Sequence, residues 1–304
     1  MDLKGTLLAA CLAAALIGAT GAVHAGTATA WSGAAAGPNP SDQDQEQVHG
    51  GTASASSQAA WEERNGSAHA SGSVIAGEGF VKVYGDALGQ GGLSEGWPYA
   101  SGGGQARFIE DLTFASAAHA GMPGQVTVSV LFDAELQSFG AAGATTFFSL
   151  FLGGQQRVVF GQIHNGGFPV LSRLFVLDAF GQRDLPYDRI ATVTFDVTWG
   201  GTLKLDMNLL SEAHTFTPTT DDPTTASGAT SDTSHSGYWG GIVSATAGGV
   251  PIDDFSVLSS TGVDYRNSFA VAAPVPEPET VALLAVGLLA VWGRARRGRR
   301  AGVA

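Results

Sequence analysis

Hydrophobic and polar residues alternate through the middle of this chain. Val126, Val128, Val130, Phe132 and Leu136 are separated by Thr127, Ser129, Asp133, Glu135 and Gln137. Ala191, Val193, Phe195, Val197 and Trp199 interleave with Thr192, Thr194, Asp196 and Thr198, and Leu203, Leu205, Met207 and Leu209 with Lys204, Asp206 and Asn208. Successive side chains of a strand point to opposite faces, so a period of two predicts strands with one face in a core. Gly200-Gly201 lies between the last two runs and predicts a hairpin. A two-residue loop would set Val197 opposite Lys204. A three-residue loop, Gly200-Gly201-Thr202, sets Trp199 opposite Leu203 and keeps one face apolar, so three residues are expected.

Further strands are expected at residues 80–84, 107–114, 146–152, 157–163, 170–177 and 254–258. Phe147-Phe148-Ser149-Leu150-Phe151-Leu152 is apolar on both faces and should be central. No segment carries an amphipathic helix longer than three turns. Many short strands with glycine turns predict an all-β, jelly-roll-like β-sandwich. Residues 26–71, rich in Ala, Ser, Gly and Gln, read as a low-complexity, partly disordered segment or a loosely attached first strand. The sandwich is expected over 72–266, with a glycine-rich loop at 85–104, a long Thr- and Ser-rich surface loop at 215–237 that suits O-glycosylation, and a linker at 267–275.

Charge narrows the partners. The 304-residue chain has a net charge of −12, and residues 26–273 hold 24 Asp and Glu against nine Lys and Arg. No basic stripe is left for a nucleic acid. Cys11 is the only cysteine, and it falls in the first 25 residues. The rest has no disulfide and no thiol nucleophile, so packing must supply its stability.

Both ends read as addresses. Lys4, the apolar run 6–17 and Val23-His24-Ala25 have the order of a secretory signal peptide, cut after Ala25 to leave Gly26 first. Leu8-Ala9-Ala10-Cys11 mimics a lipoprotein box, but the apolar run before Cys11 is too short and continues past it. At the other end, Pro276-Glu277-Pro278 precedes the uncharged run 281–292 and then Arg294, Arg296, Arg297, Arg299 and Arg300. Twelve helical residues reach about 18 Å, short of a hydrocarbon core of about 30 Å. Flanking residues and snorkelling arginine stems extend this short transmembrane helix. The arginines should stay cytoplasmic and leave the body outside. The two prolines hold the motif extended.

Those residues resemble the PEP-CTERM sorting signal of Gram-negative bacteria. The resemblance covers about thirty residues, with Glu279-Thr280 where a small hydroxyl residue is commoner. It implies export through the inner membrane, a transient C-terminal membrane anchor, and processing by exosortase, a multi-pass membrane transpeptidase. It also implies a place at the cell surface or in the matrix, associated with extracellular polysaccharide and biofilm.

The body offers weaker chemistry. Gly92-Leu93-Ser94-Glu95-Gly96 fits G-x-S-x-G but lacks the flanking strand and helix that make an elbow. Asp133 and Glu135, two apart on one expected strand, would face the same way, as a glycosidase pair must, and equally suit a solvated face. Glu110-Asp111 would point to opposite faces. No histidine spacing suits a metal, so no metal site is assigned. Asp221-Asp222 and Asp253-Asp254 are hard donors that would suit calcium, and no cofactor is otherwise expected. Trp97, Tyr99, Tyr238 and Trp239, in glycine-rich stretches, are aromatics that could stack on sugars. The expected function is structural or adhesive rather than enzymatic. A carbohydrate-binding module is the first alternative and a polysaccharide hydrolase the second.

Overall fold

The computed structural model describes residues 26–37, 40–63, 66–91, 99–165, 171–178, 181–185, 190–215, 226–234 and 237–269. Every regular element among them is a strand. In chain order these are β1 (Thr27–Ala36), β2 (Ser41–His49), β3 (Ala53–Glu63), β4 (Gly66–Gly77), β5 (Phe80–Gly91), β6 (Ala100–Ala115), β7 (Pro123–Leu131), β8 (Glu135–Phe139) and β9 (Ala142–Leu152). They continue with β10 (Gln155–Asn165), β11 (Leu171–Asp178), β12 (Gly181–Leu185), β13 (Ile190–Thr198), β14 (Thr202–Thr215), β15 (Ala226–Thr233), β16 (Tyr238–Ala247), β17 (Val250–Pro251) and β18 (Ser256–Ser259).

Two antiparallel sheets face each other. Sheet A runs β12-β11-β10-β9-β14-β6-β1-β2, with β18 continuing beside β6. In sheet B, β5 pairs with β4 on one side. On the other it pairs with β15 along residues 83–90 and with β16 at Phe80. The sheet therefore forks into β15-β8 and β16-β7-β13. The apolar β9 is internal to sheet A, as its sequence predicts.

The interior changes character along the strands. At one end the facing residues are large, with Phe108, Phe114, Phe148, Phe195, Trp199 and Trp239 all buried. At the other they are alanines, among them Ala34, Ala70, Ala87, Ala100, Ala144 and Ala213. Between the two, glycines let the sheets touch. Gly72 lies opposite Gly85 in sheet B, over Gly102 and Gly103 of sheet A. A Cβ on Gly102 would fall within 3.0 Å of the Ser71 and Asp86 carbonyl oxygens, and one on Gly85 would strike the Gly102 carbonyl. Sheets ordinarily pack about 10 Å apart, and only residues without a side chain permit backbone contact. Ser32 Oγ meets Ser57 Oγ across the sheets at 2.8 Å, and Ser211 bonds Ser231 in the same way.

At one seam, side chains substitute for a strand ladder. β2 is the edge of sheet A and β3 the edge of sheet B. Asp42, Asp44 and Glu46 alternate along β2, so all three point the same way. Their carboxylates accept the backbone N–H groups of Gln58 (2.9 Å), Ser56 (3.0 Å) and Ser54 (2.6 Å) on β3. Open edge donors are a template for another strand, and here they are satisfied by carboxylates.

Several expectations need correction. The described residues between 26 and 71 form β1, β2, β3 and the start of β4. In β1, β3 and the start of β4 small residues, mostly Ala and Ser, are buried between neighbours mostly as small or polar, and β2 buries no residue, a contrast too faint to read as a hydrophobic period. In the stretch expected as a glycine-rich loop at 85–104, the described residues 85–91 and 100–104 are the end of β5 and the start of β6, with Gly85, Gly102, Gly103 and Gly104 at the contact between sheets. Within the expected loop at 215–237, β15 pairs with β5 and β8. Gly200-Gly201 makes no hairpin: β13 pairs with β7 in sheet B, whereas β14 pairs with β6 and β9 in sheet A. The turn crosses between sheets, held by Gly200 N to Phe114 O (2.6 Å) and Phe114 N to Gly201 O (3.0 Å). Both runs face one interior from opposite sides, so their apolar periods match without their backbones pairing. The run from Val126 to Gln137 is also two strands, since β7 ends at Leu131 and β8 joins β15 instead.

Candidate functional site

The body closes on its own C-terminal segment. Tyr265 N donates to Val257 O at 2.8 Å and Phe269 N to Trp239 O at 2.9 Å. The Tyr265 ring packs edge-on to Trp239 and 4.8 Å from Phe269, centroid to centroid. Arg266 donates to both Asp264 oxygens and, at 3.0 Å, to Phe255 O. Those bonds hold the Asp264 carboxyl below its usual range. Residues 267–269, expected as linker, thus still belong to the packed body.

Tyr265 is fully buried, yet its Oη makes no well-formed hydrogen bond. Burial first, then the nearby Glu110 and Glu78 carboxylates, push its phenol far up. A buried hydroxyl with no well-formed partner loses its hydration and gains little in return. Tyr265→Phe is therefore expected to leave the melting temperature unchanged or raise it, as calorimetry would measure.

The outer face of sheet A carries polar side chains around Trp31 of β1. Ala28, Ala30, Ser32 and Ala34 of β1 point inward, so Trp31 points outward, half-buried. Its ring lies over Gly33, whose added Cβ would stand 3.1 Å from it. Directly paired neighbours on that face are Gln45 of β2 and Gln105 of β6. Beyond them, cross-strand pairs tie β6 to β14. Gln105 Nε2 donates to Asn208 Oδ1 at 2.8 Å, Ser101 Oγ to Glu212 at 2.8 Å, and Arg107 makes a two-pronged pair with Asp206 at 3.0 and 2.7 Å.

The outer face of sheet B carries a Ser, Asp and His together. Ser71 Oγ donates to Asp86, and His69 Nδ1 lies 3.5 Å from the other Asp86 oxygen. Both partners use the same carboxylate, so the histidine is not placed to take the serine proton, as a nucleophile would require. Burial, with Asp86 and Asp232 nearby, raises the Tyr84 phenol on this face.

The other candidates are placed as follows. Asp133 lies in the break after β7 and Glu135 opens β8, where it accepts from Gln137 at 2.5 Å. They are not the two-apart pair of one strand. Trp239 is 0 % exposed and donates Nε1–H to Tyr265 O at 2.8 Å, so it offers no face to a ligand. Tyr238 is buried beside it on β16, whose bulges after Trp239 and Ile242 break the alternation. Tyr99 is half-buried before β6. Asp253 and Asp254 are exposed, and among the described residues no three His, Cys, Asp or Glu are grouped to hold a metal. Outside the described residues lie Ala25 and all before it, the G-x-S-x-G stretch with Trp97, Asp221-Asp222, and the whole tail from Ala270, with Pro276, Glu277, Pro278 and the five arginines. Among the described residues no helix is long and apolar enough to cross a membrane.

Trp31 and the burial of Glu110 escaped the sequence reading. The inward alternation of Ala28, Ala30, Ser32 and Ala34 was the available signal for Trp31. A carboxylate on the apolar phase of Phe108 and Leu112 was the signal for Glu110.

The family model of the PEP-CTERM protein-sorting motif matches residues 274–300. The chain carries a PEP-CTERM sorting motif. It begins five residues after Phe269, where the described body ends. The PEP-CTERM match implies an exported chain that exosortase processes at its C-terminus. No curated protein and no solved structure matches the chain.

Proposed function

We propose that this is a non-catalytic cell-surface or matrix protein. Exosortase releases it from a transient C-terminal membrane anchor, and its sandwich serves a structural or adhesive role beside extracellular polysaccharide. The PEP-CTERM motif directly after the packed body carries this reading. The self-paired polar face of sheet A, with Arg107 committed to Asp206 and Gln105 to Asn208, suits a scaffold. Glu277 is the one carboxylate between the two motif prolines. In the native host, Glu277→Gln is expected to leave most of the protein as a membrane-bound precursor with its tail intact, read by mass spectrometry of membrane and released fractions. Release of the variant at the wild-type level, or a wild-type mature protein still ending at Ala304, would overturn the reading.

A second reading is carbohydrate binding, and Trp31 favours it. A half-buried indole on the outer sheet face, flanked by Gln45 and by the amide oxygen and second N–H of Gln105, combines a stacking surface with donors and acceptors for sugar hydroxyls. Under that reading Trp31→Ala weakens retention on a polysaccharide column by about tenfold. Equal retention of wild type and variant would remove it.

A further inference from the structure

Glu110 is the only Asp or Glu with a buried side chain among the described residues, at 1 % exposure. No described Lys, Arg or His pairs with it. Its Oε1 accepts from Ser260 Oγ at 2.9 Å and its Oε2 from the Gly26 backbone nitrogen at 3.1 Å. Burial pushes its carboxyl up, and the nearby Glu78 adds to that. Tyr265 is the other titratable group close to it. A buried carboxylate held only by neutral donors is costly, and a cation would relieve the cost.

The nitrogen at Oε2 belongs to the residue where the sequence places the signal-peptide cut. Gly26 is itself buried, and its carbonyl accepts from Gly50 N at 2.7 Å. A side chain there would crowd its neighbours. A Cβ on Gly26 would fall onto the Glu110 carboxylate and within 3.0 Å of the Phe108 ring.

We propose that cleavage of the Ala25–Gly26 bond completes the fold, by creating an α-ammonium on Gly26 that pairs with buried Glu110 and fastens the start of β1 to β6. The inference rests on the exported reading above. A signal peptidase supplies the hydrolysis. Water adds across the amide, its oxygen goes to the Ala25 carbonyl to leave a carboxylate on the released peptide, and both of its protons go to the Gly26 nitrogen, which becomes an ammonium. With an ordinary pKa of about 8, that amine is cationic at neutral pH. A neutral amide donor at 3.1 Å thereby becomes a charged one, roughly twice as strong. The carboxylate acquires its counter-ion without movement of β1.

The test uses the full-length chain, exported from a host with a signal peptidase and purified. N-terminal sequencing of the wild type should begin at Gly26. A second chain carries Ala-Ser inserted between Ala25 and Gly26, which moves the ammonium two residues from Glu110. The insertion should lower the melting temperature by about 5 °C, and most of that loss should vanish in the Glu110→Gln background. A start other than Gly26 overturns the cleavage reading. A start at Gly26 with equal insertion effects in both backgrounds overturns the pairing and leaves export intact. Amine acylation of the wild type gives a check independent of whether the variants fold. Gly26 should label more slowly than Lys82 and Lys204, and labelling as fast as those lysines also overturns the pairing.

Discussion

Gly102→Ala is expected to destabilise the sandwich by at least about 3 kcal/mol, the severe end of small-to-large substitution. Gly102 is not among the glycines with positive φ, so its backbone would tolerate a side chain. The obstacle is space. The new methyl would overlap two carbonyl oxygens, those of Ser71 on β4 and Asp86 on β5. Both belong to strands paired along their whole length, so neither can yield alone. Relief would require the sheets to separate, which would open gaps around Ala34, Ala70 and Ala87, side chains too small to fill them. Gly249→Ala is the control. It has φ +84° and nothing within 4 Å of an added Cβ, so only backbone strain of about 1 kcal/mol is expected. Equilibrium urea unfolding of the two variants measures the difference.

Trp239→Ala is expected to lose about 3–5 kcal/mol. The indole is fully buried, and its removal leaves a cavity among large side chains that cannot collapse. It also orphans the Tyr265 carbonyl, which accepts the indole N–H, and takes away the ring against which Tyr265 packs. Residues 255–269 should loosen first, since Tyr265 packs on this indole and Phe269 packs on Tyr265. Limited proteolysis should then cut this segment before the sheets. Trp31→Ala, on the outer face, should change the unfolding midpoint little.

The strand content of the body was legible because Val, Phe and Leu alternate strongly with Thr and Asp on β7, β13 and β14. Pairing was less so. An apolar face announces a core but not which sheet supplies it, and therefore β13 and β14 looked like a hairpin when they belong to opposite sheets. The first four strands were hidden by their chemistry. Ala28, Ala30, Ser32 and Ala34 bury little apolar area each, and their burial depends on glycines far along the chain bringing the opposite sheet close. Of the candidate sites, the sorting motif was readable since it is local and linear. Trp31, Glu110 and the Ser71–Asp86–His69 group need residues from separate strands, and Trp239 was misread because its bulged strand buries consecutive aromatics.

The carboxylate seam between β2 and β3 bears on how such a protein can assemble. A strand-rich protein at high local concentration risks polymerising through its sheets, each copy adding a strand to the next. With the outward amides of Ser54, Ser56 and Gln58 already occupied, that margin cannot recruit an incoming backbone without first displacing three anions. Lateral association is thereby steered away from this border and towards the broad faces, where contacts are made by side chains and can be reversed.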